Sequence, residues 1–470
     1  MKKFLALLLA FAVLFALCAC GEKSEETAQK PQEEVNAAES SKTDEENEKT
    51  EKVKVKYLSS IGAYLSILEE EIDNWNATVG EEEGIEIELI SEINNYGTVA
   101  EGLLQTGNDI DLIDGVTTRP AWVASGWVRD LNTIDNDELK TLIAENEKYF
   151  IPGRNIQNGM LISLPLEVTP VKMAVNLDLF EKFDLELPKT WDDVVHAAQV
   201  ITEGSNGEAY GFGWSNWSAC FRRLAMKESM SSTGVGWFDV NTETYDFSPF
   251  ETPIKALAEM YQNGWLLGAD DLAIDAIRAQ FAEGIVGMFP APSYDVSVYT
   301  VQFPAKCNWT IIDPPTYEPG EAPYKGVYYD GGNCSISSSV SEERLDAVVK
   351  AFCFLNSKEL LSRLYAQGCI IPQREDIAAE TELNSDLCEQ WAIMADLTNY
   401  AAMSTYPDNV LPLEGDTYAT VFADVMHGNC AWEDIIDDLN ARYNTAYQEL
   451  KEDGELQTDQ YHYTYDISRS

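Results

Sequence analysis

Histidine is nearly missing from this 470-residue chain: there are three, His196, His427 and His462, none at metal-ligand spacing from another. HExxH, GxSxG and GxxxxGK[ST] do not occur, which removes the signatures of zinc peptidases, α/β-hydrolases and P-loop NTPases, and no motif calls for a cofactor. Bases are scarce too. Against 80 Asp and Glu there are 32 Lys and Arg, and the net charge of −48 argues against binding nucleic acid or anionic lipid directly. No repeat recurs at solenoid periods, so a repetitive scaffold or adhesin finds no support. CxxC spacing is absent. Setting Cys18 and Cys20 aside, seven cysteines remain (Cys220, Cys307, Cys334, Cys353, Cys369, Cys388, Cys430), an odd number that leaves at least one free; they are read mostly as buried apolar thiols. Acid pairs are easy to find among so many carboxylates, and none stands out at the separation a glycosidase needs. An exported carbohydrate-active hydrolase or lyase is therefore the alternative reading.

What is present begins with the one long apolar run, Phe4 to Leu17, preceded by Lys2-Lys3 and followed by Leu17-Cys18-Ala19-Cys20. The run is short for a membrane span, and small residues ahead of a cysteine suit cleavage with lipid attachment. Residues 1–20 are thus expected to be a lipoprotein signal peptide, with lipid on Cys20 holding the chain at the outer face of the cell membrane. Residues 21–52 carry 11 acids and 5 bases and no aromatic side chain, too little apolar surface to offset the entropy of ordering; they read as a disordered acidic tether. The remainder, from Val53 to Ser470, is long enough for two domains.

The folded part opens with alternation over Lys52–Ser59, a helical spacing of Tyr64, Leu65, Leu68, Ile72 and Trp75, a break at Gly84 and alternation again over Ile85–Ile90. Strand, helix, strand is the pattern of a parallel sheet. A further helix over Tyr96–Leu104 leads to a short buried strand, Ile110–Ile113, ending in Asp114, Gly115 and Thr117. Ligands of open α/β sheets gather at the carboxyl ends of strands, so the loop from Asp114 to Thr118 is a candidate site. Two extended runs, Met160–Pro165 and Pro170–Asn176, flank Glu167; a carboxylate there must reach solvent or a polar ligand. Thr190 is a good N-cap for a helix over Trp191–Ile201. Further on, Trp214 and Trp217 lie three apart beside Asn216 and Ser218, a combination of ring faces and hydroxyl-binding groups that suits sugar rings, although core packing is the competing use. Helices are expected over Pro253–Gly264, Ile274–Glu283, Ser341–Leu355 with Ser341 as cap, Ser357–Ala366 and Ala431–Leu450.

The order LPLEVTPVKMAVNLDLFEK followed by LPKTWDD closely resembles the extracellular solute-binding proteins of carbohydrate-type ABC importers. Gly126–Leu131, the Phe281–Tyr294 stretch, Tyr328–Ser337 and Gly368–Arg374 resemble other motifs of that family, in the family's order. Departures are Ile110, where the family has Pro, and the prolines Pro290 and Pro292. The resemblance implies a periplasmic-binding-protein-like (type II) α/β fold of two lobes, 53–166 with 293–356 and 167–292 with 357–470, joined by a hinge around a ligand cleft. It also implies a lipid-anchored, non-enzymatic receptor that delivers a mono- or oligosaccharide to the transmembrane subunits of a permease. Glu167 and Asp114 are then expected to accept hydroxyl hydrogen bonds and Trp214, Trp217 and Tyr294 to stack, Tyr294 standing where the family keeps its stacking aromatic. Thr117, Asp330 and Gly332 are expected nearby.

Overall fold

A computed structural model describes residues 52–456 apart from 94, 108–109, 217–219, 222–235, 240–241, 317–323, 332–333, 403–405 and 455. The expected signal peptide, Cys20 and, except for Lys52, the tether lie outside the described residues, as do Trp217 and Gly332.

The first lobe starts with β1 (Val53–Ser59), α1 (Leu65–Ala77), β2 (Ile85–Ser91), α2 (Tyr96–Thr106) and β3 (Leu112–Asp114). β1 pairs in parallel with β2 and with β3, Val53 opposite Ile85 and Tyr57 opposite Leu112. Alternation decides which side chains go inward: Val55 and Tyr57 of β1 and Ile85 and Ile87 of β2 meet Leu68, Ile72 and Trp75 of α1 in one core. Gly84, at φ +68°, ends the short helix Val79–Glu83 in the left-handed conformation that glycine adopts without strain and turns the chain into β2.

The second lobe is built on β4 (Glu167–Asn176), with α3 (Trp191–Gly204), β5 (Tyr210–Ser215), α4 (Glu251–Gln262), β6 (Leu266–Ala269), α5 (Ile274–Ala282), β7 (Val286–Pro292) and β8 (Trp309–Ile312) following along the chain. Then come β9 (Gly326–Gly331), β10 (Cys334–Ile336), α6 (Glu342–Leu355), α7 (Lys358–Ala366), β11 (Ile371–Pro372), β12 (Tyr400–Ala402), α8 (Tyr418–His427) and α9 (Trp432–Glu452). The smaller sheet runs β10-β3-β1-β2, the larger β6-β5-β7-β4-β9-β12, with β8 and β11 also on β4. β4 takes in the second expected run, Pro170–Asn176, and extends it back to Glu167, whereas only Met160–Leu161 of the first run forms a strand; every residue of β4 after Glu167 is buried, which fits a strand covered on both faces. Its first half pairs with β9 and β11 and its second half with β7 and β8, all antiparallel. Buried Lys172 fixes a later segment to it, Nζ donating to the carbonyls of Ile393 and Asp396 at 2.8 Å each.

Thr190 caps α3 as expected, in a reciprocal box with Asp193. Ser341 stands at the start of α6, but its side chain makes no capping bond. The expected lobe boundaries shift. Residues 309–312 and 326–331, expected in the first lobe, hydrogen-bond to β4 in the larger sheet, and the chain rejoins the first lobe only at β10, which pairs with β3. Leu360, Leu361, Leu364, Cys369 and Ile377, expected in the second lobe, pack in the core of β1 and α1. Sequence order misleads here because the chain crosses between lobes through strands that share β4. Among the described residues no helix is long and apolar enough to cross a membrane, and all seven cysteines carry free thiols, three of them buried.

Candidate ligand-binding site

A cavity of about 430 Å³ is lined by both lobes. From the first lobe come the loop Ser60–Tyr64 directly after β1, Asp114 and Gly115 at the end of β3, Ile93 and Cys369. From β4 and the second lobe come Glu167 and Thr169, Asp275 and Arg278 on α5, Ser293 and Tyr294 just beyond β7, and Tyr329 and Gly331 on β9. Ser60–Tyr64, Asp114 with Gly115, and Ser293 with Tyr294 sit where strands end, the position that open α/β sheets offer to ligands, while Glu167 and Thr169 lie at the start of β4 and Asp275 and Arg278 on a helix.

Asp114 is 3% exposed, and its carboxylate accepts from Tyr57 Oη and Ser59 Oγ at 2.6 Å each and from the Ser60 amide at 3.1 Å. Burial pushes its pKa up to about 6, and these donors hold it from going further. Its three partners use most of its acceptor capacity and fix the loop that begins the cavity wall. Glu167, half-buried, faces the same space with no hydrogen-bond donor and no cation beside it among the described residues. Burial first, and the nearby charge of Asp114 second, push its pKa up to about 8. The room for its carboxyl comes from Gly331, its partner in the β4–β9 register: a Cβ there would stand 3.0 Å from Glu167 Oε1.

The second-lobe wall is balanced differently. Arg278 Nη2 lies 2.7 Å from Oδ1 of the fully buried Asp295, and its Nη1 donates to Asp275 Oδ1 at 2.8 Å. The guanidinium carbon stands 5.4 Å from the centroid of the Tyr294 ring, holding that ring against the wall by cation–π contact. The result is a cavity of mixed polarity lined by Tyr64, Tyr294 and Tyr329 and by carboxyl groups. Such a surface stacks on apolar ring faces and hydrogen-bonds hydroxyls. No group of three His, Cys, Asp or Glu among the described residues is placed to hold a metal ion.

Of the residues singled out from sequence, Asp114, Glu167 and Tyr294 meet in this cavity. Trp214 does not. It is 1% exposed, edge-on to Phe221 at 5.3 Å between ring centroids in the second-lobe core, with its Nε1 donating to Asn216. Phe212 and Trp214 share one face of β5 by the two-residue period, and both faces of that strand are covered. Thr117 is buried away from the cavity, its carbonyl accepting from Gln157 Nε2 at 3.0 Å. Asp330 is paired instead with Arg154, 3.4 Å away. The sequence reading missed Tyr64, Thr169, Arg278 and Tyr329. The loop Ser60–Tyr64 obeys the same strand-end rule that picked out Asp114 and was open to detection; Arg278 was not, since an Arg three residues after an Asp on a helix resembles any solvated face.

A sequence profile of bacterial extracellular solute-binding proteins matches residues 59–337. No curated protein sequence matches the chain. Among solved structures, the GacH receptor of Streptomyces glaucescens, described unliganded and with acarbose, superposes at a TM-score of 0.65 with 13% identity, covering 85% of this chain and 98% of that one. An ABC transporter solute-binding protein of Thermotoga lettingae bound to α-D-tagatose gives 0.63 and 19% over 85% and 100%. A sugar transporter protein of Bacillus licheniformis in complex with stachyose gives 0.58 and 16% over 84% and 100%. At these identities the likeness is one of fold: two lobes with a cleft between them.

Proposed function

Because the chain belongs to the bacterial extracellular solute-binding proteins, we propose that it is the lipid-anchored receptor of an ABC importer, holding a mono- or oligosaccharide in the interlobe cleft and delivering it to the permease. The observation that carries this reading is the cavity itself, where tyrosine faces from both lobes surround carboxyl groups and a fixed guanidinium. Ring faces and hydroxyls are the two features such a wall recognises. The saccharides named for the structural relatives, acarbose, α-D-tagatose and stachyose, favour the same ligand class. Closure of the lobes goes only as far as the ligand binds the closed form better than the open one, and needs no catalytic group.

A hydrolase would require two carboxyls free to act across one glycosidic bond, and Asp114 is already committed to three protein donors. A thermal-shift screen of saccharides tests the receptor reading, since a ligand of the folded state raises apparent stability by RT ln(1 + [L]/Kd). At least one saccharide is expected to raise the melting temperature without release of new reducing ends; reducing-end release would make the protein an enzyme. For the anchor, Cys20→Ala is expected to move the protein from the membrane fraction to the medium.

A further inference from the structure

We propose that the saccharide carries a protonated amine, which pairs with Glu167. This rests on the saccharide reading above and narrows it. Among the described residues the charges lining the cavity do not balance: Asp114, Glu167 and Asp275 face it against one cation, Arg278, which Asp295 and Asp275 already neutralise at 2.7 and 2.8 Å. The ionisable groups close to Glu167 are Asp114, Tyr64 and Cys369, all acidic and none a cation. Among the described residues Glu167 therefore has neither a donor nor a counter-charge, although Gly331 leaves the space in front of it open and Asp114 beside it is saturated with donors.

A buried carboxyl left this way is held protonated in the empty cleft, and burial raises its pKa accordingly. A sugar hydroxyl meeting the protonated group gains an ordinary hydrogen bond. An ammonium does more, because the carboxyl then gives its proton to solvent and forms a charge-assisted pair, the stronger interaction by about twofold. The same excess of acid works against carboxylate- or sulfate-bearing sugars, which would bring a further negative charge into an unbalanced site.

The test uses mono- to tetrasaccharides of glucosamine, galactosamine and mannosamine, each beside its N-acetyl and hydroxyl counterpart, titrated calorimetrically into the intact mature protein near pH 7 in buffers of different ionisation enthalpy. An amine-bearing saccharide is expected to bind at least about tenfold more tightly than both counterparts and to release about one proton to the buffer. In Glu167→Gln both the preference and the proton release are expected to vanish. If that variant does not fold, the proton count on the unaltered protein decides alone. Neutral saccharides binding as tightly or more tightly, with no proton released, overturn the inference and leave the saccharide receptor standing. If no saccharide of any kind binds, both readings fall.

Discussion

The two walls of the cleft treat buried charge in opposite ways. On the second lobe Arg278 and Asp295 bury a cation and an anion 2.7 Å apart, with Asp275 closing the set from the rim. Elsewhere in the cleft Glu167 has no counter-charge among the described residues, and the hydrogen bonds to Asp114 come from neutral donors. The first arrangement supports the ring of Tyr294 and completes itself; under the proposed function the ligand completes the second. A binding site can be recognised by this contrast, since a chain under selection for stability alone has no use for a half-buried carboxyl without a partner.

Breaking the completed wall is expected to have the largest effect. Arg278→Met removes the cation and leaves Asp295 buried without it, at a cost of about 3–5 kcal/mol in denaturant unfolding; a loss under about 1 kcal/mol would mean that the pair is not buried as described. Trp214→Ala opens a void in the second-lobe core and is expected to cost about 3–5 kcal/mol of stability, while the folded fraction binds saccharide as before. Tyr294→Ala should behave the other way round, with the unfolding transition nearly unmoved and affinity down about tenfold, roughly 1.4 kcal/mol. If Trp214→Ala weakened binding as strongly, the separation of core indole from cleft phenol would fail. A further effect is expected from pH. In the folded chain Glu167 keeps its proton up to about pH 8, against an ordinary value of 4.5, so between those values the folded state binds more protons than the unfolded one and stability falls as pH rises. Asp114 adds a fall of the same sign between 3.8 and about 6. Glu167→Gln is expected to flatten its share of that decline when unfolding is followed across the window; an unchanged slope would show Glu167 to be ionised throughout.

Much of the fold could be read from the sequence, because local signals and global architecture agreed in the first lobe: alternation in β1 and β2, helical spacing in α1, and a strand end carrying Asp114. The cap at Thr190 was equally plain, and the structure adds Asp193 as its reciprocal partner. The lobe boundaries were not, since pairing with β4 is decided by which distant strands reach it, and nothing in residues 309–312 or 326–331 states their partner. Trp214 shows the limit for the site. A tryptophan beside Asn and Ser has the composition of a sugar platform, and only the covering of its strand face by the second-lobe helices makes it core. Glu167, isolated between apolar runs in the sequence, lines the cavity, and the structure adds Gly331 as the reason its carboxyl has room.

The proposed receptor function requires the two lobes to close on a saccharide held between them. Small-angle scattering of the mature chain, with and without a saturating amount of the saccharide that raises its melting temperature most, measures this directly. The radius of gyration is expected to fall when the sugar is added and to return when it is dialysed away. Superimposable profiles at proven saturation, for every saccharide that binds, would contradict it.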